Sequence, residues 1–204
     1  MGVYELSGAG SVKTGRTNYT SMNAGNQFGA MVPIQSYTLT SSGSFNFTNI
    51  PQTFQDLMLV VYCRGDAAGS NAAGVSLFLN GASTTANYST TRLSGDGSVA
   101  ASARSTTASP TFGLTPSDAL LPSAGNTAGV FGSAVYHILS YASTSTFKTA
   151  IIRTAGDTNG SGKTTLSAAL WANTAAIFSF EVVTNGAWIA GSTATLYGIR
   201  AVAS

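Results

Sequence analysis

Along most of this chain apolar and polar residues alternate at every second position, the period of a strand with one face buried. "QSYTLT" (35–40) and "GSFNFTNI" (43–50) open the series, with Phe45 and Phe47 on one face and Ser44 and Asn46 on the other. "QDLMLVVYCRG" (55–65) sets Leu57, Leu59, Val61 and Cys63 on one side and Met58, Val60 and Tyr62 on the other. A strand apolar on both faces predicts a place in the middle of a packed structure. "GVSLFLNG" alternates Val75, Leu77 and Leu79 and closes on Asn80-Gly81, a strong turn signal. "ANYSTTRL" then runs into "SGDGS", another turn. After residue 127 come "VFGSAVYHILSYA", "TFKTAIIRTA", "TTLSAALWA", "AIFSFEVV" and "STATLYGIRAV". About ten strands separated by Gly/Asn/Asp/Ser turns have the spacing of sandwiches and jelly rolls. No capping box opens a sustained helical period, so the expected fold is all-β: an antiparallel, jelly-roll-like β-sandwich.

Two stretches break the period. Residues 1–34 are rich in Gly and Asn and carry only single apolar anchors: Val3, Tyr4, Leu6, Phe28, Met31 and Val32. Such a segment cannot make a core of its own. It is expected to be an extended N-terminal docking arm whose anchors fill pockets on a partner, with the sandwich domain spanning 35–204. Residues 95–127 are Ser/Gly/Pro-rich and aperiodic, and predict a long loop of the kind that often carries function.

Composition narrows the chemistry. Only 8% of the 204 residues are charged, against about 25% in an ordinary soluble domain. Gly, Ala, Ser and Thr take their place. The most apolar run, "LMLVVYC" (57–63), is far shorter than the ~20 residues of a spanning helix, so no membrane insertion is expected. The nine basic residues form no run, which speaks against a nucleic-acid partner. Cys63 is the only cysteine and reads as a small buried hydrophobe.

One segment imitates an enzyme motif. "GDTNGSGKTT" (156–165) holds Gly162, Lys163 and Thr164 in phosphate-loop order. A phosphate loop also needs a Gly five positions before Gly162, so that successive N–H groups wrap the phosphate. Asp157 stands there, and a carboxylate would repel the ligand. The bland alternative is a hairpin: "FKTAIIRTA", a Gly-rich turn, then "TTLSAALWA". Other chemistry is equally thin. His137, the sole histidine, has no Gly-x-Ser-x-Gly elbow to accompany it. One Cys and one His cannot make a zinc site, and Asp96 and Asp157 are ordinary turn acids rather than a calcium cluster. No local motif pairs two of the seven acids for glycoside cleavage. Arg64-Gly65-Asp66 matches an integrin-type triplet but directly follows a strand and reads as the start of a turn. The expectation is therefore no enzyme, no cofactor and no metal. Exposed aromatics are the remaining recognition option, with Tyr88, Phe112 and Trp188 as candidate surface residues for stacking on a glycan, although core packing is the default.

Three runs carry a resemblance: "TNIPQTFQDLMLVVYCRGDAAGSNAAGVSLFLNGASTTANYSTTRLSGDGS" from Thr48, "YHILSYASTSTFKTAIIRTAG" from Tyr136, and the terminal "GSTATLYGIRAV". The elements that carry it are Ile50-Pro51-Gln52-Thr53, the Leu79-Asn80-Gly81 turn, Asn87-Tyr88-Ser89, Gly95-Asp96-Gly97 and Leu196-Tyr197-Gly198-Ile199. Over about residues 45–202 the chain resembles a family of virion structural and tail-fibre-type proteins of marine and cyanobacterial bacteriophages. The resemblance implies no catalytic residues. It implies a virion protein on the particle exterior, most simply a short tail fibre that meets the host, alternatively a capsid decoration (cement) protein. Implied partners are other virion proteins (tail, baseplate or major capsid protein), further copies of the chain in a homo-oligomer, expected as a trimer, and a host surface glycan. A carbohydrate-binding sandwich module and a sandwich-fold glycan hydrolase are the rival readings. The two virion roles differ in what they demand: a host-facing role needs exposed aromatics on the loops, and a decoration role needs a flat, apolar base.

Overall fold

The computed structural model describes residues 17–18, 30–68, 70, 72–81, 87–106 and 112–201. They form strands β1 (Thr17–Asn18), β2 (Met31–Thr38), β3 (Phe45–Phe47), β4 (Asp56–Cys63), β5 (Val75–Leu79), β6 (Tyr88–Gly95), β7 (Ala100–Thr106) and β8 (Phe112–Leu114). A single-turn helix α1 (Pro116–Ala119) follows, then β9 (Gly132–Leu139), β10 (Lys148–Asp157), β11 (Gly162–Trp171), β12 (Phe180–Val183) and β13 (Thr193–Ile199). A nine-stranded sheet, ordered β1-β2-β13-β4-β9-β10-β11-β6-β7, packs against a four-stranded sheet, β3-β12-β5-β8. Every pairing is antiparallel. The fold is an all-β antiparallel sandwich, as the alternation predicts.

The chain repeatedly crosses between the layers, because each strand has one apolar face and the two apolar faces close on each other. Phe45, Phe47, Leu77, Phe112 and Val182 of the small sheet share one buried cluster with Leu57, Leu59, Val61, Tyr136 and Leu196 of the large one. Tyr136 ties the layers directly, its hydroxyl donating to the Val75 carbonyl at 2.7 Å. That bond needs close approach. A Cβ on Gly113 would lie 2.5 Å from the Val75 carbonyl oxygen and 2.6 Å from the Tyr136 hydroxyl, so only glycine fits there.

The two aperiodic stretches come out differently from the expectation. Met31 and Val32 are not part of an arm: they open β2 and pair with Ile199 and Gly198 of β13. The strand therefore begins before residue 35. Its first residues escaped the pattern because Pro33 interrupts it and β13 carries a register shift between Leu196 and Tyr197. Residues 95–127 are not one long loop but contain β7, β8 and α1. In β7 the residues are small and polar, with no alternation to read. It forms because β6 offers a free edge, along which Ala100 to Thr106 pair with Gly95 to Ser89. β8, at three residues, is too short to show a period.

Candidate functional site: an uncovered sheet face

β4 is central in the large sheet, as its doubly apolar pattern suggests, but only one of its faces is packed. Leu57, Leu59, Val61 and Cys63 are fully buried. Val60 and Tyr62 point the other way and are 36% and 49% exposed. No strand of the four-stranded sheet covers that side, which is the outer face of the sandwich.

Register extends this face across the sheet. Thr195 pairs with Val60, Val60 with Val135, Val135 with Arg153, Arg153 with Leu166, and Leu166 with Leu93. One row along, Met58, His137, Ile151 and Ala168 are aligned in the same way. Leu93, Leu166 and Ile151 are 57%, 49% and 46% exposed. At one end Tyr62 stacks on Phe131, ring centroids 4.9 Å apart, beside a shallow depression of about 360 Å³ that Ala155, Asp157 and Thr164 also line. Arg153 is exposed among these apolar groups and has no acidic partner among the described residues. The patch is bounded: towards β2 the surface turns polar, where Ser36 and Thr195 share a hydroxyl hydrogen bond of 2.8 Å, and towards β7 it meets Ser102 and Arg104, across from Leu93 and Thr91.

His137 also lies on this face. Its Nε2 is 3.4 Å from Asp56 Oδ2, in a geometry that does not make a hydrogen bond. Asp56 Oδ1 instead accepts from the Ser140 N–H at 2.8 Å. Among the described residues no hydroxyl is hydrogen-bonded to His137 Nε2, as a nucleophile activated by that nitrogen would be.

The candidate glycan-stacking aromatics are corrected by the structure. Tyr88 is 4% exposed, and Phe112 and Trp188 are wholly buried. Tyr88 lies between Trp171 and Phe112, at centroid distances of 6.3 and 6.2 Å. Trp188 donates its indole N–H to the Val182 carbonyl at 3.0 Å. Tyr88 and Phe112 occupy the inward positions of their strands, and for rings of this size core burial outweighs any use as a platform. Of the expected arm anchors, Val3, Tyr4, Leu6 and Phe28 lie outside the described residues. Met31 is 43% exposed at the start of β2, and Val32 is half-buried beside it.

The phosphate-loop look-alike is the hairpin. β10 and β11 pair residue by residue from Lys148↔Trp171 to Asp157↔Gly162, and the turn closes with the Thr158 N–H donating to the Ser161 carbonyl at 2.8 Å. Lys163 donates its ammonium to the Ser117 carbonyl at 2.8 Å. The adjacent turns bring Asp96, Asp157 and Lys163 to one open depression of about 340 Å³. There the Val99 and Ser98 N–H groups hold the Asp96 carboxyl below the usual carboxylate range, with Lys163 adding to the effect. A glycosidase acid needs the opposite shift. No cluster of three or more His, Cys, Asp or Glu occurs among the described residues.

Arg64-Gly65-Asp66 is a staple rather than a displayed triplet. Arg64 is 6% exposed, and its guanidinium donates to the carbonyls of Thr127, Val130 and Asn126, while Asp66 accepts from the Ala187 N–H at 2.7 Å. On the far side of the sandwich, Ser44, Phe78, Glu181, Val183 and Asn185 line a groove of about 340 Å³. The uncovered face gathers Val60, Tyr62, Leu93, Ile151 and Leu166, five of the nine large hydrophobics exposed among the described residues. Its sequence signal was the second apolar side of β4, which alternation alone could not assign to solvent or to core. Compared with family models, characterised proteins and solved structures, the chain matches none.

Proposed function

We propose that this chain is a non-enzymatic structural protein of a bacteriophage particle, carried in multiple copies on its exterior. The observation that supports this reading best is the exposed apolar face of the large sheet. Val60, Tyr62, Leu93, Ile151 and Leu166 account for most of the large hydrophobic side chains left exposed on the described residues, and all lie on one side. Isolated exposed hydrophobics need no explanation, but a contiguous, in-register patch is what an assembled subunit presents. The low charge of the chain agrees, since a permanently assembled protein does not depend on surface charge for solubility. The resemblance of residues 45–202 to virion proteins supplies the kind of assembly.

Between the two virion roles, the geometry favours a decoration protein over a host-binding tail fibre. An apolar outer face is exposed, whereas Tyr88, Phe112 and Trp188 are buried and the aromatics left more than half exposed on the described loops are Phe147 and Phe178. The test is direct. Purified particles should contain the chain by mass spectrometry, and imaging should place its density flat against the capsid shell. Density at the tail tip would favour the fibre reading, and absence from purified particles would refute both.

A further inference from the structure

We infer that Asn159, at the tip of the β10–β11 hairpin, is a site of spontaneous deamidation, the one Asn-Gly step of three that the fold leaves free to react. The inference goes beyond the particle reading and does not depend on it.

Asn-Gly occurs at 80–81, 159–160 and 185–186. In such a pair the backbone nitrogen of the glycine can attack Cγ of the asparagine side chain, because no Cβ on the second residue obstructs the approach. The new N–Cγ bond closes a five-membered succinimide. The Cγ–Nδ2 bond breaks, and the amide nitrogen leaves as ammonia with the proton given up by the glycine nitrogen. Water then opens the ring. Cleavage of the N–Cγ bond gives aspartate, and cleavage of the bond to the main-chain carbonyl gives isoaspartate, whose chain runs on through Cβ and Cγ. Water is the only co-reactant, and nothing is oxidised or reduced.

The sequence assigns all three pairs the same reactivity, and the structure separates them. Asn80 and Asn159 even share a left-handed backbone, with φ of 52° and 58°. The Asn80 amide is held on both sides: Nδ2 donates to the Ala176 carbonyl at 2.8 Å, and Oδ1 accepts from the Phe178 and Ser179 N–H groups at 3.0 and 3.2 Å. Asn185 Oδ1 accepts from the Gly74 N–H at 3.2 Å and from the Thr184 hydroxyl at 3.1 Å. The Gly186 backbone is also packed closely, since a Cβ there would lie 2.6 Å from Asp66 Oδ1. Both side chains must give up these contacts before Cγ can turn to the glycine nitrogen.

Asn159 has no such restraint. It and Gly160 are exposed. Its own N–H donates to Asp157 Oδ1 at 2.8 Å, but its side-chain amide and the Gly160 N–H make no hydrogen bond among the described residues. The turn closes through the Thr158 N–H and hydroxyl, both on the Ser161 carbonyl at 2.8 Å, so the peptide between Asn159 and Gly160 is not pinned. Space is open where a Gly160 Cβ would stand. The electrophile and the nucleophile are therefore both free at one solvated point. The product adds a carboxylate beside Asp157 and lowers the formal net charge of +2 by one. The register from Lys148↔Trp171 to Asp157↔Gly162 lies below the tip, so the hairpin itself should persist.

The experiment incubates the full chain, as wild type and Asn159→Gln, at neutral and mildly alkaline pH and follows each Asn-Gly peptide by mass spectrometry after digestion. In the folded chain Asn159 should convert at least about tenfold faster than Asn80 or Asn185, the factor expected when two or three hydrogen bonds must first be lost. Conversion should quicken as pH rises, because the attacking nitrogen must lose its proton. In water enriched in oxygen-18 the product should carry one heavy oxygen. Ion exchange should show a new acidic form of wild type that Asn159→Gln lacks, since the longer side chain would have to close a slower six-membered ring. In denaturant all three sites should convert at comparable rates. The inference is overturned if Asn80 or Asn185 converts as fast as Asn159 in the folded chain. It is equally overturned if Asn159 stays intact there under conditions in which the denatured chain reacts.

Discussion

Leu59, Val61 and Leu77 have no solvent exposure, and each lies at the inward position that alternation alone assigned to it. Truncating any of them to Ala should cost about 2–5 kcal/mol, because the removed methyl groups lose burial and leave a cavity that neighbouring strands only partly close. Denaturant melts of the three variants check this, and near-wild-type stability in all of them would contradict the strand parity. Cys63 is buried in the same row, and burial alone pushes its thiol well above the ordinary value. Since the thiolate is the reactive form, the folded chain should resist iodoacetamide and take up one label only after denaturation. A mass shift of the native protein would show that the site opens. Not every residue was so legible. Tyr88, Phe112 and Trp188 carry the same side chains whether they stack on a ligand or fill a core, and only their surroundings tell which.

At the scale of elements, hairpins and turns were the most readable features, because their determinants are local. The β10–β11 hairpin needs only two alternating runs and a Gly-rich turn, all within residues 148–171. Lys163 in it is a turn-flanking residue with one carbonyl partner. Lys163→Ala should therefore cost no more than about 1 kcal/mol, the net worth of an ordinary hydrogen bond. Calorimetric titration should show no saturable ATP binding by wild type. Binding that saturates in wild type and vanishes in Lys163→Ala would restore the phosphate-loop reading. β7 and β8 were illegible for the converse reason. β7 has no apolar period, and its pairing is imposed by the open edge of β6. Nothing in "AASARST" announces that edge.

For the whole molecule, the boundary of the folded unit is the point where sequence and structure diverge most usefully. The pattern placed it at residue 35, but β2 starts at Met31 and is hydrogen-bonded to β13 along its length, with the Arg200 N–H donating to the Ala30 carbonyl at 2.9 Å. A chain beginning at Ala30 loses only the two-residue edge strand β1 and should fold and melt close to the full protein. One beginning at Ile34 removes the residues paired with Tyr197, Gly198 and Ile199 and should melt several degrees lower, as expected for a loss of about 1–2 kcal/mol in a domain of this size. Equal melting temperatures would mean that Met31, Val32 and Pro33 of β2 contribute nothing. The expected docking role of Val3, Tyr4, Leu6 and Phe28 belongs to the same experiment: the chain from Ala30 should fold yet incorporate into particles less well than the full protein.

By itself the sequence determined the all-β class, the alternation that buries Phe45, Phe47, Leu77 and Leu79, and the hairpin in place of a phosphate loop. Each follows from a period or a turn contained within a few residues, and side chains alternate across a strand whatever lies around it. Only the tertiary structure decided what each outward face meets. Val60 and Tyr62 sit in β4 as apolar as Leu59 and Val61, and a strand cannot record whether a second layer lies over its other side. Among the described residues, the chain's crossings sent four strands to one face of the large sheet and none to the other. Burial is a property of that arrangement and not of the residues, so the core was readable from the sequence and the face proposed for assembly was not.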